Sequence, residues 1–143
     1  MKIKLSLFLI LSAISFFTYA EEPKSDWTNY AESSKSGFKI YYSKSSVKKD
    51  GEFCTVKILK NFTEPQEFTA EKPHFKFLSS VETQIINCAK NSYRGTRTEK
   101  WTELWGKGKL GKAYDYVGAR QQDWSEPIKN TQIEGALMTK VCF

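Results

Sequence analysis

The residues best suited to chemistry are three cysteines, one histidine and a glycine-rich segment. Cysteine–histidine or serine–histidine catalysis would have to use His74, which lies in a proline-bounded loop with no cysteine or second histidine near it. Zinc sites need three or four clustered cysteine or histidine ligands, and no such spacing is present. The sequence therefore predicts a protein that is not an enzyme, with no catalytic residue, no metal and no cofactor.

The glycine-rich segment 106–113 comes close to a phosphate-binding loop. It has glycines at 106 and 111 and a lysine at 112, but Ala113 stands where the motif needs a serine or threonine for magnesium. The residues that follow, 114–117, alternate as a strand does, whereas the motif leads into a helix. We expect a hairpin turn here and no bound nucleotide.

The first 20 residues have the pattern of an export signal. Lys2 and Lys4 precede an uncharged, mostly apolar run at 5–17, and small residues occupy positions 18 and 20. The run is too short to span a bilayer comfortably. We expect cleavage after Ala20, a single domain at 21–143, and a protein exported to the periplasm or secreted. No cysteine stands at the expected cleavage site, so neither a lipid anchor nor a membrane anchor is predicted.

Composition indicates a folded chain with one modest core. The 143 residues are 40% hydrophobic and 15% aromatic, which argues against disorder and favours β structure. The net charge is +6, from 22 basic and 16 acidic residues. Removal of Lys2 and Lys4 with the signal would lower it to +4.

Alternating apolar residues predict five or six short strands with no helix-length pattern between them. Asp50-Gly51 is a strong hairpin signal, and Pro65 and Pro73 bound a predicted loop at 64–75. Successive strands joined in this way favour an antiparallel meander. The predicted strands are 26–31, 38–43, 52–62, 77–89, 92–105 and 110–117.

The end of the chain predicts a helix. Thr131 and Glu134 form a capping-box pattern. Ile133, Leu137 and Val141 then recur every four residues, as one apolar stripe of a helix. The predicted fold is α+β, with about six antiparallel strands and a short C-terminal helix on one face of the sheet.

The cysteines are compatible with one disulfide. An exported protein can keep disulfides, and an odd count leaves one thiol over. Cys88 closes a predicted strand and Cys142 ends the predicted helix, so a bridge between them would tie helix to sheet. Cys54 alternates with Val56 and Ile58 and is interpreted as a buried free thiol. Spacing favours this pairing, although the count alone allows the others.

The positive charge is concentrated in one segment. Residues 90–120 hold eight basic and three acidic residues, interleaved with aromatic ones. Such a surface suits polyanions. The alternative is a solvated edge hairpin whose lysines block edge pairing. Arg94 and Arg97 would lie on opposite faces of a regular strand, which weakens a single patch. The candidate binding surface comprises Arg94, Arg97, Lys100, Trp101, Lys107, Lys109 and Lys112.

Several of these residues resemble the surface-adhesin protein E family of exported bacterial proteins. The closing pattern is the most specific part, and the strand that ends in Asn87-Cys88 is similar to a family strand. The matching residues are Trp27, Tyr41-Tyr42, Ser45-Ser46-Val47, 56–59, Ser79-Ser80-Val81, Ile85, Asn87-Cys88, 106–108, Trp124, Ile128, Thr131, Glu134, Leu137 and Val141-Cys142.

The resemblance implies an antiparallel sheet with a C-terminal helix and a disulfide between Cys88 and Cys142. It also implies binding of host matrix or plasma proteins and the ability to form a homodimer. Ser43 stands where the family commonly has an aspartate. The expected partners are host or envelope proteins or polyanionic glycans, with no nucleic acid. The alternative function is a periplasmic inhibitor or small-ligand-binding module without host contact.

Overall fold

The computed structural model describes residues 26–129 and 131–143, so the predicted cleavage after Ala20 lies outside the described residues. Within them the chain forms seven strands, two short 3-10 turns and one α-helix. The strands are β1 (Trp27–Ser33), β2 (Phe38–Ser43), β3 (Lys48–Asp50), β4 (Phe53–Phe68), β5 (Phe75–Asn87), β6 (Ser92–Trp101) and β7 (Leu110–Asp115), and the helix is α1 (Ile133–Val141).

The strands form one antiparallel sheet in the order β1-β2-β4-β5-β6-β7. The short strand β3 pairs with the start of β4, and β2 pairs with a later part of the same strand. Gly51 has φ of +58° in the predicted hairpin turn, a conformation that glycine adopts readily. The predicted α+β meander is confirmed.

Helix α1 packs on one face of the sheet and closes the core. Leu137, Met138 and Val141 are buried against strand residues such as Val56 and Ile86. Ile133, which the predicted stripe included, is 37% exposed at the start of the helix. The apolar face is therefore shorter than predicted, and Met138 takes a place in it.

The predicted capping box does not form. The helix begins at Ile133, so Gln132 is the N-cap and Thr131 lies one residue too early. The side chain of Gln132 gives the helix no capping hydrogen bond. Instead its Oε1 accepts a 2.8 Å hydrogen bond from the backbone N–H of Lys129. The side chain thus holds the preceding turn rather than the helix.

The predicted loop at 64–75 is shorter than expected, since β4 continues to Phe68 and β5 begins at Phe75. The register between these strands shifts between Asn61 and Gln66. Pro65 lies within this bulge, where its nitrogen faces no ladder partner. Because of this bulge, β4 continues beyond a proline that would otherwise end the strand.

Candidate functional site

The disulfide joins the two elements that the sequence predicted. Cys88 and Cys142 are bonded, with their Cα atoms 5.6 Å apart. Cys88 directly follows β5 and Cys142 directly follows α1. The bridge therefore ties the helix to the sheet across 54 residues of sequence. The predicted pairing is confirmed.

Cys54 is the remaining free thiol, and it lies in the core. Its side chain is fully buried beside Val56 and Ile86. Burial raises the pKa of the thiol, since the thiolate would lose its hydration. Cys54 therefore acts as a small apolar side chain rather than as a nucleophile.

Arg94 and Arg97 lie on the same face of β6, so the expectation of opposite faces is wrong. Arg94 pairs with Ile85 of β5, and Arg97 pairs with Thr83 of β5. Ile85 and Thr83 are two residues apart and therefore lie on one face of β5. The register shifts at this point, which leaves Thr96 as an extra residue in β6. In a regular strand, residues three apart point to opposite faces. The extra residue of the bulge changes this, so that Arg94 and Arg97 point to the same face.

Arg97 is already bound by acidic neighbours. Its Nε lies 2.7 Å from Oε1 of Glu99, and its Nη1 lies 2.7 Å from Oδ1 of Asp115. The Trp101 indole N–H donates to the other oxygen of Glu99 at 3.2 Å. Two of the predicted surface residues are thus held by these carboxylates, and Arg97 offers little free charge to a partner.

Two further cations of the predicted surface lie over aromatic rings. The guanidinium carbon of Arg94 is 4.8 Å from the centre of the Trp124 ring. The Lys100 ammonium is 4.3 Å from the Phe77 ring and 5.7 Å from that of Phe68. Desolvation lowers the pKa of Lys100. Arg94 thus packs on the segment between β7 and α1, and Lys100 packs on rings of β4 and β5.

The chain between β6 and β7 folds back over the face of the sheet opposite α1. The Trp105 ring packs on Tyr41 with centroids 4.8 Å apart, and the Trp105 backbone N–H donates to Oδ1 of Asn61 at 2.9 Å. The Gly106 N–H donates to Oγ of Ser79 at 3.0 Å. These contacts explain why β6 ends at Trp101 and not at the predicted Trp105.

This turn presents two exposed lysines, Lys107 and Lys109. Gly106 and Gly108 have φ of +65° and +77°, as a tight reversal requires. The chain then enters β7 at Leu110, so the segment leads into a strand and has no helix N-terminus to hold phosphate. The predicted hairpin turn is confirmed.

A groove lies between this turn and the loop that joins β4 to β5. It encloses about 430 Å³. We call it the lysine groove, because four lysines and one glutamate line it. Its lining residues are Phe68, Glu71, Lys72, Pro73, Phe75, Lys76, Thr102, Lys109, Gly111 and Lys112.

Most of the positive charge in the lysine groove is unpaired. Lys112 forms an ion pair with Glu71. Lys72, Lys76 and Lys109 form no ion pair with any residue that the structure describes. Like charges gathered at a concave surface raise the local potential. The groove is therefore suited to an anionic partner.

Aromatic rings line the groove beside the lysines. The rings of Phe68 and Phe75 are 5.2 Å apart. Gly111 lies so close to Phe75 that a Cβ at this position would overlap with a ring carbon. A glycine in the strand is what allows the ring to lie against the backbone. The rings add an apolar surface to the cationic one.

Lys72 and Lys76 were not among the residues predicted from the sequence, because they lie upstream of the basic segment 90–120. The β4–β5 connection brings them to the groove through strand pairing. A local signal for a cationic and aromatic surface exists in the sequence, since Lys72 and Lys76 flank His74 and Phe75. His74 is exposed in this loop.

In the ranges 26–129 and 131–143, no group of three or more histidine, cysteine, aspartate or glutamate side chains is arranged to hold a metal ion. None of the helices found there has the length and apolar character needed to cross a membrane.

Comparison with protein families identifies the fold. The sequence profile described as Surface-adhesin protein E matches residues 27–143, which is most of the chain. The chain belongs to the surface-adhesin protein E family. Membership implies an exported protein of adhesin type, and it points to binding rather than to catalysis. No curated protein sequence matches the chain.

Solved structures of Haemophilus influenzae protein E share this fold. One is 15% identical with a TM-score of 0.61, over 85% of this chain and 86% of that one. Another, protein E from non-typeable Haemophilus influenzae, is 17% identical with a TM-score of 0.60, over 85% and 78%. At this identity the likeness establishes the architecture alone.

Proposed function

We propose that the protein is an exported, non-catalytic binding protein that contacts a polyanionic partner through the lysine groove. The observation that carries the proposal is the set of three unpaired lysines, Lys72, Lys76 and Lys109, beside the rings of Phe68 and Phe75. The candidate partners are sulfated or acidic glycans and acidic segments of host or envelope proteins. Nucleic acid is not expected, because the protein works outside the cytoplasm.

The proposed contact surface is smaller than the basic surface that the sequence predicted. Lys109 and Lys112 line the groove, and Lys107 projects from the turn beside it. Arg94 and Arg97 lie elsewhere on the sheet and are bound to neighbours. Contact would therefore involve the turn end of the hairpin together with the β4–β5 loop.

Salt dependence is a direct consequence of such a surface. Exposed charges lose most of their long-range attraction once the Debye length falls to about 10 Å or less, near 0.1 M salt. Binding to the groove should weaken steadily as salt rises. Apolar contact with the rings of Phe68 and Phe75 would contribute a part of the binding free energy that salt does not remove.

The test uses a heparin column and the purified chain without its signal. The triple variant Lys72→Glu, Lys76→Glu, Lys109→Glu reverses the unpaired charges of the groove, and we expect affinity to fall by roughly tenfold or more. The matched control changes Lys35, Lys39 and Lys140 to glutamate. These are exposed lysines outside the groove, without ion pairs among the described residues.

Both triple variants have the same net charge, so they separate the groove from overall charge. Retention by the control and loss by the groove variant would support the assignment. Equal loss in the two variants, or unchanged retention in both, would contradict it. Fractionation of periplasm, outer membrane and medium would show which partners the protein can meet; the expected location is the periplasm or the medium.

A further inference from the structure

A second concave site lies on the same sheet face as Arg94 and Arg97, at the far end of β4 from the lysine groove. It forms where β2 ends at Ser43 and β3 begins at Lys48. At Val56 and Lys57, β4 therefore pairs with β5 on one side and has no partner strand on the other. The backbone N–H of Lys57 donates instead to Oγ of Ser46 at 2.8 Å. This break in pairing opens a cleft of about 550 Å³.

Hydroxyl groups line one wall of the cleft, and a carboxylate organises them. Asp26 accepts hydrogen bonds from the hydroxyl of Ser43 and from the backbone N–H and hydroxyl of Ser45, the latter two at 2.7 Å each. Both hydroxyl protons point to the carboxylate, so the serine oxygens can only accept further hydrogen bonds. Ser43 is buried and its Oγ already accepts from the backbone N–H of Ser46 at 3.2 Å, whereas Ser45 is exposed. The Ser45 oxygen is therefore the acceptor that the cleft offers to a hydroxyl donor of a ligand.

Two cations and an aromatic ring complete the cleft. Lys48 and Lys57 are exposed, and neither forms an ion pair with any residue in the described ranges. The negative charge of Asp26 is already shared among three donors. Trp27 is half-buried at the edge of the cleft, where an indole can pack against the C–H groups of a ring-shaped ligand. The lysines favour one anionic group on that ligand.

We propose that this cleft binds an acidic sugar, a pyranose ring with one carboxylate. Lys48 and Lys57 would hold the carboxylate, the Ser45 oxygen would accept from a ring hydroxyl, and Trp27 would pack on the ring. The cleft volume lies within the range of roughly 300–1,000 Å³ of small-molecule sites. The sugar could be free or the end of a longer glycan. This site is separate from the lysine groove and does not depend on the function proposed for it.

The test is a titration of the ¹⁵N-labelled mature chain with glucuronic acid, glucose and inorganic phosphate, followed by NMR. Glucuronic acid should shift the Trp27 indole signal and the amide signals of residues 43–48 and 55–57. Glucose should bind about tenfold more weakly, since it lacks the charge-assisted hydrogen bonds of the carboxylate. Phosphate should also bind weakly, since it has no ring to pack on Trp27.

Variants distinguish the cleft from the groove. Lys57→Gln keeps a similar length and should weaken glucuronic acid binding about tenfold, while binding of dextran sulfate, which carries sulfates and no carboxylate, stays unchanged. Lys109→Gln is the matched control and should leave the glucuronic acid titration unchanged. The proposal is overturned if glucuronic acid causes no localised shift, if glucose binds as well, or if phosphate binds as tightly. Titration of the protein with oligomers of glucuronic acid, compared with titration by the monosaccharide, shows whether a free or a terminal sugar binds more tightly.

Discussion

The Trp105 ring lies on the phenol ring of Tyr41, with centroids 4.8 Å apart and an angle of 58° between the planes. Tyr41 belongs to β2, whereas Trp105 belongs to the turn after β6, so the contact spans the breadth of the central sheet. It closes the face that α1 leaves open and fixes the turn that carries Lys107 and Lys109. The position of the lysine groove therefore depends on an aromatic contact away from it.

Removal of this ring should loosen the turn. Trp105→Ala is expected to lower the free energy of unfolding by about 2–3 kcal/mol, at or just below the range for buried aromatic truncations, because the indole is only half-buried. Urea unfolding measures the change. Phe143→Ala is the control, since Phe143 is 89% exposed and its loss should cost almost nothing. Equal effects in the two variants would show that the Tyr41 contact does not anchor the turn.

A methyl group at Gly111 should disturb the groove directly. Gly111→Ala places a Cβ against the Phe75 ring, which must move, and we expect a loss of about 1–3 kcal/mol in unfolding free energy. Heparin retention should fall as well. In the control, Gly51→Asn occupies open space at a positive φ that asparagine tolerates, so it should cost less. A neutral Gly111→Ala would mean that the ring does not pack there.

The disulfide should contribute substantially to stability. Its loss in Cys88→Ala or Cys142→Ala is expected to cost about 4 kcal/mol, since the bridge closes a long loop of the unfolded chain. Thermal unfolding with and without reductant provides the measurement. The parent should melt lower when reduced, and the two variants should be insensitive to reductant. A parent that reductant leaves unchanged would contradict the role of the bridge.

The free thiol should be unreactive in the folded protein. Cys54 is buried and the pKa of its thiol is raised, so little thiolate exists at neutral pH. Intact mass after treatment with iodoacetamide should show one disulfide and no alkylation, and one alkylation after unfolding in urea. Alkylation of the native protein at the rate of the unfolded one would show that the core opens around β4.

The Asp26 network should make stability fall in acid. Hydrogen bonds from Ser43, followed in importance by those from Ser45, hold the pKa of Asp26 below its ordinary value of 3.8. A group whose pKa is lower in the folded state stabilises the fold above its unfolded pKa and loses that contribution as pH falls through the folded value. The contribution is under about 1 kcal/mol, because the site is solvated. Urea unfolding at pH 7 and pH 3 should show a smaller pH effect in Asp26→Asn than in the parent.

Much of the fold could be read from local patterns. Alternation in β2, the Asp50-Gly51 turn and the apolar spacing of Leu137 and Val141 all report backbone geometry that neighbouring residues determine. Errors occurred where a longer-range contact prevailed. Pro65 lies inside β4, and not in a loop, because a bulge accommodates it. Trp105 lies outside β6 because its ring packs on Tyr41.

The binding surface shows the same division. The sequence identified a cationic hairpin from residue types alone, since charge density needs no coordinates. It could not show that Glu99 and Asp115 form ion pairs with Arg97. Nor could it show that Lys72 and Lys76 line the same groove as Lys109, or that the gap between β2 and β3 opens a cleft beside Lys57. Strand class, the helix and the disulfide partners followed from the order of residues, because each depends on short-range periodicity or on where an element ends. Which charges stay free was decided only by strand register and bulges, because these bring together side chains that are distant along the chain.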